Sequence, residues 1–297
     1  MIDRRRRRVS RRRTQREGCQ GACGCGWIIA GAPCERKGKV AQGLVAAAAT
    51  QAAPARRFEK LGYNDGGMPP RDTPILAPAD IKPFRRPLLR WYDRHARRFS
   101  WRETHDPYQI LLAEVLLQRT QAPQVEANYA GVLAALPTPE ALGRAQLAQV
   151  REALKPLGLA KRAPTLWEMG SHLSDRFAGR VPLAVADLMS LPGVGRYIAS
   201  ATACFAGGVR IPVVDTNVIR IMSRYFGIES ERSRPRDDPW LWHLAESLLP
   251  RRRFIDFNRA LIDFAALQCK ARKPDCPSCP LLRRCRSAQR FVLHRDQ

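Results

Sequence analysis

From about residue 84 to the C-terminal cysteines, apolar side chains recur at three- and four-residue spacing, and strand-like alternation is rare. That periodicity is the mark of packed amphipathic helices. It predicts an all-α protein of about ten helices. The first is expected within 85–99, and two more within 106–136, divided near Pro123. A further helix opens at Thr138, where a hydroxyl cap is followed by a glutamate in the first turn. Others are expected over 160–177, 183–191, 196–207, 215–227, 239–250 and 254–269.

Residues 1–67 lack this texture. They are low in complexity, have few large apolar side chains and include "MIDRRRRRVSRRRTQRE" and "GLVAAAATQAAPA". A segment of that kind cannot bury enough surface to order itself, so disorder is expected. Two readings stand for it: a basic arm that grips DNA, or an upstream start with Met68 as the true first residue. Cys19, Cys23, Cys25 and Cys34 fall there without a histidine and suggest at most a weak metal knuckle.

Charge narrows the partner. The 297 residues carry a net charge of +24, of which residues 68–297 keep +14. Such an excess points to a polyanion, either nucleic acid or an anionic membrane surface. No apolar run is long enough to span a bilayer, and "GWIIAGAPC" is too short and glycine-rich for a secretory core. A cytoplasmic, nucleoid-associated protein of bacterial type is expected, with its nine cysteines reduced or bound to metal.

Three local features carry chemistry. In "LPGVGRY" (191–197), Pro192, Gly193, Val194, Gly195 and Arg196 join two helices by a tight hairpin. Glycine permits the torsions of such a turn, and the amides at the next helix's start form an anion site suited to a DNA phosphate. Asp215 follows the apolar run Ile211–Val214 and precedes a helix, where an aspartate can cap the first turn. Cys269, Cys276, Cys279 and Cys285 have the spacing C-x6-C-x2-C-x5-C. Four thiolates in one compact loop hold either zinc or an iron–sulfur cluster. One short knuckle between two longer arms favours [4Fe–4S]. Lys270, Arg272, Lys273, Arg283 and Arg284 surround it, so the cluster is expected to shape a DNA-binding surface.

Taken together, "LPGVGRY", an aspartate 18 residues after its tyrosine, and this cysteine spacing resemble the endonuclease III/MutY (HhH-GPD) superfamily of DNA glycosylases over residues 84–290. Within it, "WRETHDPYQILLAEVLLQRTQA", "LGLAKRA" and "DFNRALIDFAALQCKARKPDCPSCP" look most like the MIG-type thymine–DNA mismatch glycosylases. "AEVLLQRTQ" is similar to the MutY-type adenine glycosylases as well. The resemblance implies a two-lobed fold. A six-helix barrel with the helix–hairpin–helix occupies 108–211. A lobe containing the [4Fe–4S] cluster is built from 82–107 and 212–290. A basic extension (1–81) and a tail (291–297) flank them. The cleft between the lobes takes a base flipped out of duplex DNA.

The resemblance also assigns roles. Base loss leaves positive charge on the sugar, and the Asp215 carboxylate would stabilise it. Glu114 is the one acid in an otherwise apolar run from Ile110 to Leu117. Burial would raise its pKa and suit it to proton donation. Tyr197 stands where bifunctional relatives place a lysine, and a phenol cannot form the Schiff base that leads to strand nicking. A monofunctional enzyme is therefore expected. Gln118, Arg119 and Thr120 would face the orphaned guanine, and Leu159 would be an exposed apolar wedge.

The base removed is expected to be thymine or uracil opposite guanine. The chain ends 12 residues after Cys285, has "VDTN" and lacks paired tyrosines in "LGLAKRA", each a departure from MutY-type sequences. The alternatives are adenine opposite guanine or 8-oxoguanine, and a catalytically inactive cluster-bearing DNA binder. The partner is double-stranded DNA with a mismatched or damaged base, with no membrane involved, and the chain is expected to act as a monomer.

Overall fold

A computed structural model of the chain describes residues 76–288. The basic extension up to residue 75, its four cysteines, Met68 and the tail lie outside the described residues. Eleven α-helices and no strand occur among the described residues: α1 (Pro78–His95), α2 (Pro107–Leu116), α3 (Ala122–Ala135), α4 (Pro139–Arg144), α5 (Leu147–Leu154), α6 (Ala163–Phe177), α7 (Val185–Met189), α8 (Arg196–Phe205), α9 (Thr216–Phe226), α10 (Pro239–Leu248) and α11 (Phe254–Leu267). None of them is long and apolar enough to cross a membrane.

Local chemistry sets most boundaries. Asp106 caps α2 by accepting from the Tyr108 and Gln109 amides, and Thr138 caps α4 by accepting from Ala141. The break expected near Pro123 is present, with that proline in the first turn of α3. Two differences have tertiary causes. Helix α1 begins at Pro78, ahead of the expected start, and contains Pro83 and Pro87. Each proline removes a backbone hydrogen bond, but Phe84, Leu88 and Trp91 are buried on the same helix. Phe84 lies 4.8 Å from Tyr225 and Trp91 lies 5.0 Å from Phe264, centroid to centroid.

The second difference is a split. The single helix expected from Thr138 divides into α4 and α5 at Ala145 and Gln146. There α4 presses backbone-to-backbone on α6. A Cβ added at Gly143 would meet the Gly170 carbonyl carbon at 2.9 Å. The Trp167 indole donates to the freed Ala145 carbonyl.

Buried side chains form three clusters. One is assembled from α2 to α8 and contains residues such as Leu111, Val125, Met169 and Ile198. A second joins α1 to α9, α10 and α11 through Phe84, Met222, Leu244 and Phe257. The third is a seam between them. It consists of Ile110, Ala201, Cys204, Phe205 and Val213, with Ile255 and Ile262 packed on it. All described residues belong to one compact unit.

Candidate active site

A cavity of about 430 Å³ opens beside the seam, within the range of small-ligand sites. Phe99, Trp101, Tyr197 and Phe205 supply flat apolar surface, and Arg97, Arg102, Arg259, Glu114 and Asn217 supply polar groups. Phe99 and Trp101 stack 4.7 Å apart. Such walls suit a planar heterocycle.

Glu114, on α2, is 5 % exposed, and its Oε2 is buried with no hydrogen-bond partner. Burial raises its pKa from the ordinary 4.5 to about 7, against the opposing pull of Arg102 and the Tyr197 hydroxyl. Tyr197 projects from the first turn of α8 toward the same point. Burial, then the charge of Glu114, holds its phenol well above the usual tyrosine value.

Asp215 does not line the cavity. It caps α9: Oδ1 accepts from the Asn217 and Val218 amides at 2.9 and 2.7 Å, and Oδ2 accepts from Asn217 Nδ2 at 2.6 Å. Asn217 does line the cavity, and its Oδ1 accepts from Arg220 at 2.8 Å. Asp215 thus stands behind Asn217, fixed by three donors.

Sequence reasoning missed the group that braces this pocket. Asp263 of α11 is fully buried and accepts four hydrogen bonds. Two come from Arg97, through its amide and Nε, and two from the Arg102 guanidinium at 2.8 and 2.9 Å. Burial alone would raise the Asp263 carboxyl, but Arg102 and Arg97 hold it below the ordinary range. The same signal that singled out Glu114, one acid in an apolar helix, is present in "RALIDFAAL". Asn217 gave no comparable signal.

Three loops meet near the cavity mouth. Gln118 donates to the Gly193 carbonyl at 3.1 Å and accepts from Arg162 at 2.5 Å, so one amide ties its own loop to the hairpin and to the "LGLAKRA" loop. Arg119 is exposed with φ +63°, a strained value for a residue with a Cβ. Thr120 lines the cavity. In the hairpin, Pro192 is half-buried and Val194 is buried. Gly193 has φ +76°, and an added Cβ would meet Thr165 at 2.8 Å, so both torsion and space demand glycine. Gly195 has φ −90° and open space around its Cα, and no side chain caps α8.

One expected DNA contact sits differently. Leu159 is 8 % exposed in the first of the three buried clusters, because its amide bonds back to Leu154 and folds the loop inward. Arg196 is exposed, and its guanidinium lies 3.9 Å over the Trp242 ring of α10.

Cys269, Cys276, Cys279 and Cys285 line one small cavity, although no three His, Cys, Asp or Glu among the described residues converge on a single-ion site. Arg224 of α9 clamps the loop by donating to Cys269 Sγ at 3.5 Å and to the Lys270 and Ala271 carbonyls at 2.7 and 2.9 Å.

Comparison with known proteins agrees with this geometry. The family model for HhH-GPD superfamily base excision DNA repair proteins matches residues 112–237. A thymine-DNA glycosylase of Aeropyrum pernix is 40 % identical over 205 residues, covering 68 % of this chain and 92 % of the relative. An adenine DNA glycosylase of Mycobacterium tuberculosis is also 40 % identical, over 65 % of this chain and 64 % of that one. Among solved structures, a thermostable thymine-DNA glycosylase superposes with a TM-score of 0.68 at 34 % identity, covering 71 % of this chain and 98 % of the other. A trapped endonuclease III–DNA covalent intermediate gives 0.63 at 26 % identity, covering 73 % and 99 %. An all-α fold, a cavity shaped for a flat ring and these relatives converge: the chain belongs to the HhH-GPD superfamily of base-excision DNA repair proteins and is a DNA glycosylase, a hydrolase of N-glycosyl bonds that acts on DNA.

Proposed function

We propose that this glycosylase is monofunctional and releases thymine or uracil mispaired with guanine. The observation that carries the first part is the cavity wall. Tyr197 faces Glu114, and no lysine lines the cavity among the described residues, so no amine is placed to attack C1′ and nick the strand. The choice of base rests on relatives. Those of Aeropyrum pernix and Pyrobaculum aerophilum are named a thymine- and a thymine/uracil-DNA glycosylase and are 40 % and 37 % identical, each over 68 % of this chain.

The chemistry follows from the two carboxyl groups. The mispaired nucleotide flips into the cavity, its base between aromatic walls. As the C1′–N1 bond breaks, its electron pair leaves with the base and positive charge builds on the sugar. The Asp215 carboxylate stabilises that charge electrostatically. Glu114 in its protonated form supplies the proton that neutralises the departing base, and the water that adds to C1′ gives up a proton that restores Glu114. The uncapped amides of α8 and the open face of Gly195 fit a backbone phosphate, which positions the duplex without reading its sequence. Gln118 and Thr120 border the space the flipped base vacates, where the orphaned guanine would lie.

Cys269, Cys276, Cys279 and Cys285 would hold a [4Fe–4S] cluster. The fit rests on the donor set: four sulfurs of one short loop line one cavity. When bound, the cluster would cross-link the basic loop 270–284 to itself and to the end of α11, beside the Arg224 clamp. Iron and sulfide analysis with visible absorbance tests it, and a stoichiometric zinc content would overturn it.

A second reading, adenine opposite guanine or 8-oxoguanine, is favoured by the similarity to the adenine DNA glycosylase of Mycobacterium tuberculosis. Labelled duplexes carrying T, U or A opposite G, and A opposite 8-oxoguanine, separate the two. Alkali-dependent cleavage at T and U is expected. Release of adenine alone, or strand cleavage without alkali, would refute the first reading.

A further inference from the structure

The cavity contains three arginines, and one of them is unspent. Arg97 gives its Nε, and Arg102 both terminal nitrogens, to Asp263. Arg259, on α11 one turn earlier, makes no hydrogen bond or ion pair with any described residue, and its Nε is buried without a partner. The guanidinium rests 5.2 Å over the Phe205 ring, a contact that holds its face but takes none of its edge N–H donors. Burial lowers its pKa, followed by weaker effects of its charged neighbours. That Nε, desolvated without compensation at the wall of a cavity, is a costly arrangement for an empty protein. The cost is recovered when the occupant brings acceptors.

We infer that Arg259 is a specificity-determining residue that donates to a ring carbonyl oxygen of the flipped pyrimidine and stabilises the negative charge the base acquires on leaving. This rests on the proposed reading of the substrate as thymine or uracil. Those bases present two carbonyl oxygens, over which the electron pair of the broken C1′–N1 bond is delocalised. Adenine has ring-nitrogen acceptors but no carbonyl oxygen, and it places an amino donor where thymine and uracil place O4, which a donor-only guanidinium opposes. A phosphate is the other source of acceptor oxygens. The base is favoured because the guanidinium lies on an aromatic ring within the cavity, whereas the uncapped α8 amides suited to a phosphate lie at the hairpin.

The test compares wild type with Arg259→Gln and Arg259→Lys under single-turnover conditions. Substrates are duplexes with T, U or 5-fluorouracil opposite G, and a non-cleavable abasic-site duplex measures binding. Melting temperature checks that each variant folds. For Arg259→Gln, the cleavage rate on T and U should fall about 10²-fold, with abasic-duplex affinity within about 2-fold of wild type. The loss should be smaller for 5-fluorouracil, whose anion needs less help. Arg259→Lys, which keeps the charge without the planar donor set, should recover part of the rate. Unchanged rates in both variants overturn the inference while leaving the substrate reading intact. An equal loss on all three bases also overturns it. So does weakened abasic-duplex binding with a salt slope lower by about 1, which would mark a phosphate contact. Should Arg259→Gln not fold, the Arg259→Lys series decides, with no base dependence as the refuting result. A wild type that releases adenine but neither pyrimidine defeats both readings together.

Discussion

The two sides of the cleft treat their acids in opposite ways. On the α2/α8 side, Glu114 is buried and keeps one oxygen unbonded, and burial outweighs the pull of Arg102 and the Tyr197 hydroxyl, so its carboxyl stays protonatable near neutrality. On the α9/α11 side, both acids are fully engaged. Asp215 accepts three N–H bonds and Asp263 four. The same chemical group is thus prepared for proton donation on one side and for electrostatic or structural service on the other. Environment alone makes the difference.

The strongest way to break this contrast is Asp215→Asn. Its cleavage rate should fall by at least about 10³-fold while affinity for an abasic-site duplex is kept. Substantial residual turnover would remove Asp215 from the reaction. Asp263→Ala should cost about 3 kcal/mol or more of stability in a denaturant titration, because two buried guanidinium groups lose their acceptor. A loss under about 1 kcal/mol would mean that water replaces the carboxylate.

Glu114 supplies a pH signature of opposite sign to the usual carboxylate. Its folded pKa is raised, from 4.5 to about 7, so the folded state holds a proton that the unfolded state has released. Its contribution to stability is therefore complete below about pH 4.5 and declines by about 3 kcal/mol as pH rises to about 7. Glu114→Gln should lower cleavage about 10²-fold. It should also raise the melting temperature relative to wild type more at pH 8 than at pH 5. In wild type the cleavage rate should fall as pH rises through about 7, and a profile flat across that range would rule out a protonated Glu114 in the reaction. Tyr197→Lys sharpens the same side of the comparison: borohydride should trap a covalent DNA adduct with the variant and none with wild type. The smallest effect is expected for Gln118→Ala, a few-fold loss in mismatch cleavage from untying three loops.

Much of this was legible in the chain. Helical periodicity located the elements because each buries one face, and caps such as Asp106, Thr138 and Asp215 are written in single residues. What was not legible depends on contacts distant in sequence. The division of α4 from α5 follows from Gly143 meeting Gly170. The Arg97–Arg102–Asp263 group spans more than 160 residues. The wedge role of Leu159 came from the resemblance alone, yet a backbone bond to Leu154 turns it into the core. The cysteine spacing was readable because it confines four sulfurs to one short loop, where they line one cavity.

The apolar seam of Ile110, Ala201, Cys204, Phe205 and Val213 has one more implication. Phe205 and Ile262 belong both to that seam and to the cavity wall. The cavity wall is thus continuous with the seam that joins the other two buried clusters, so a change at Phe205 or Ile262 disturbs both. To reach such a cavity a base must leave its stack, and the double helix bears that cost. Sites already loosened by a mispair yield at the lowest cost.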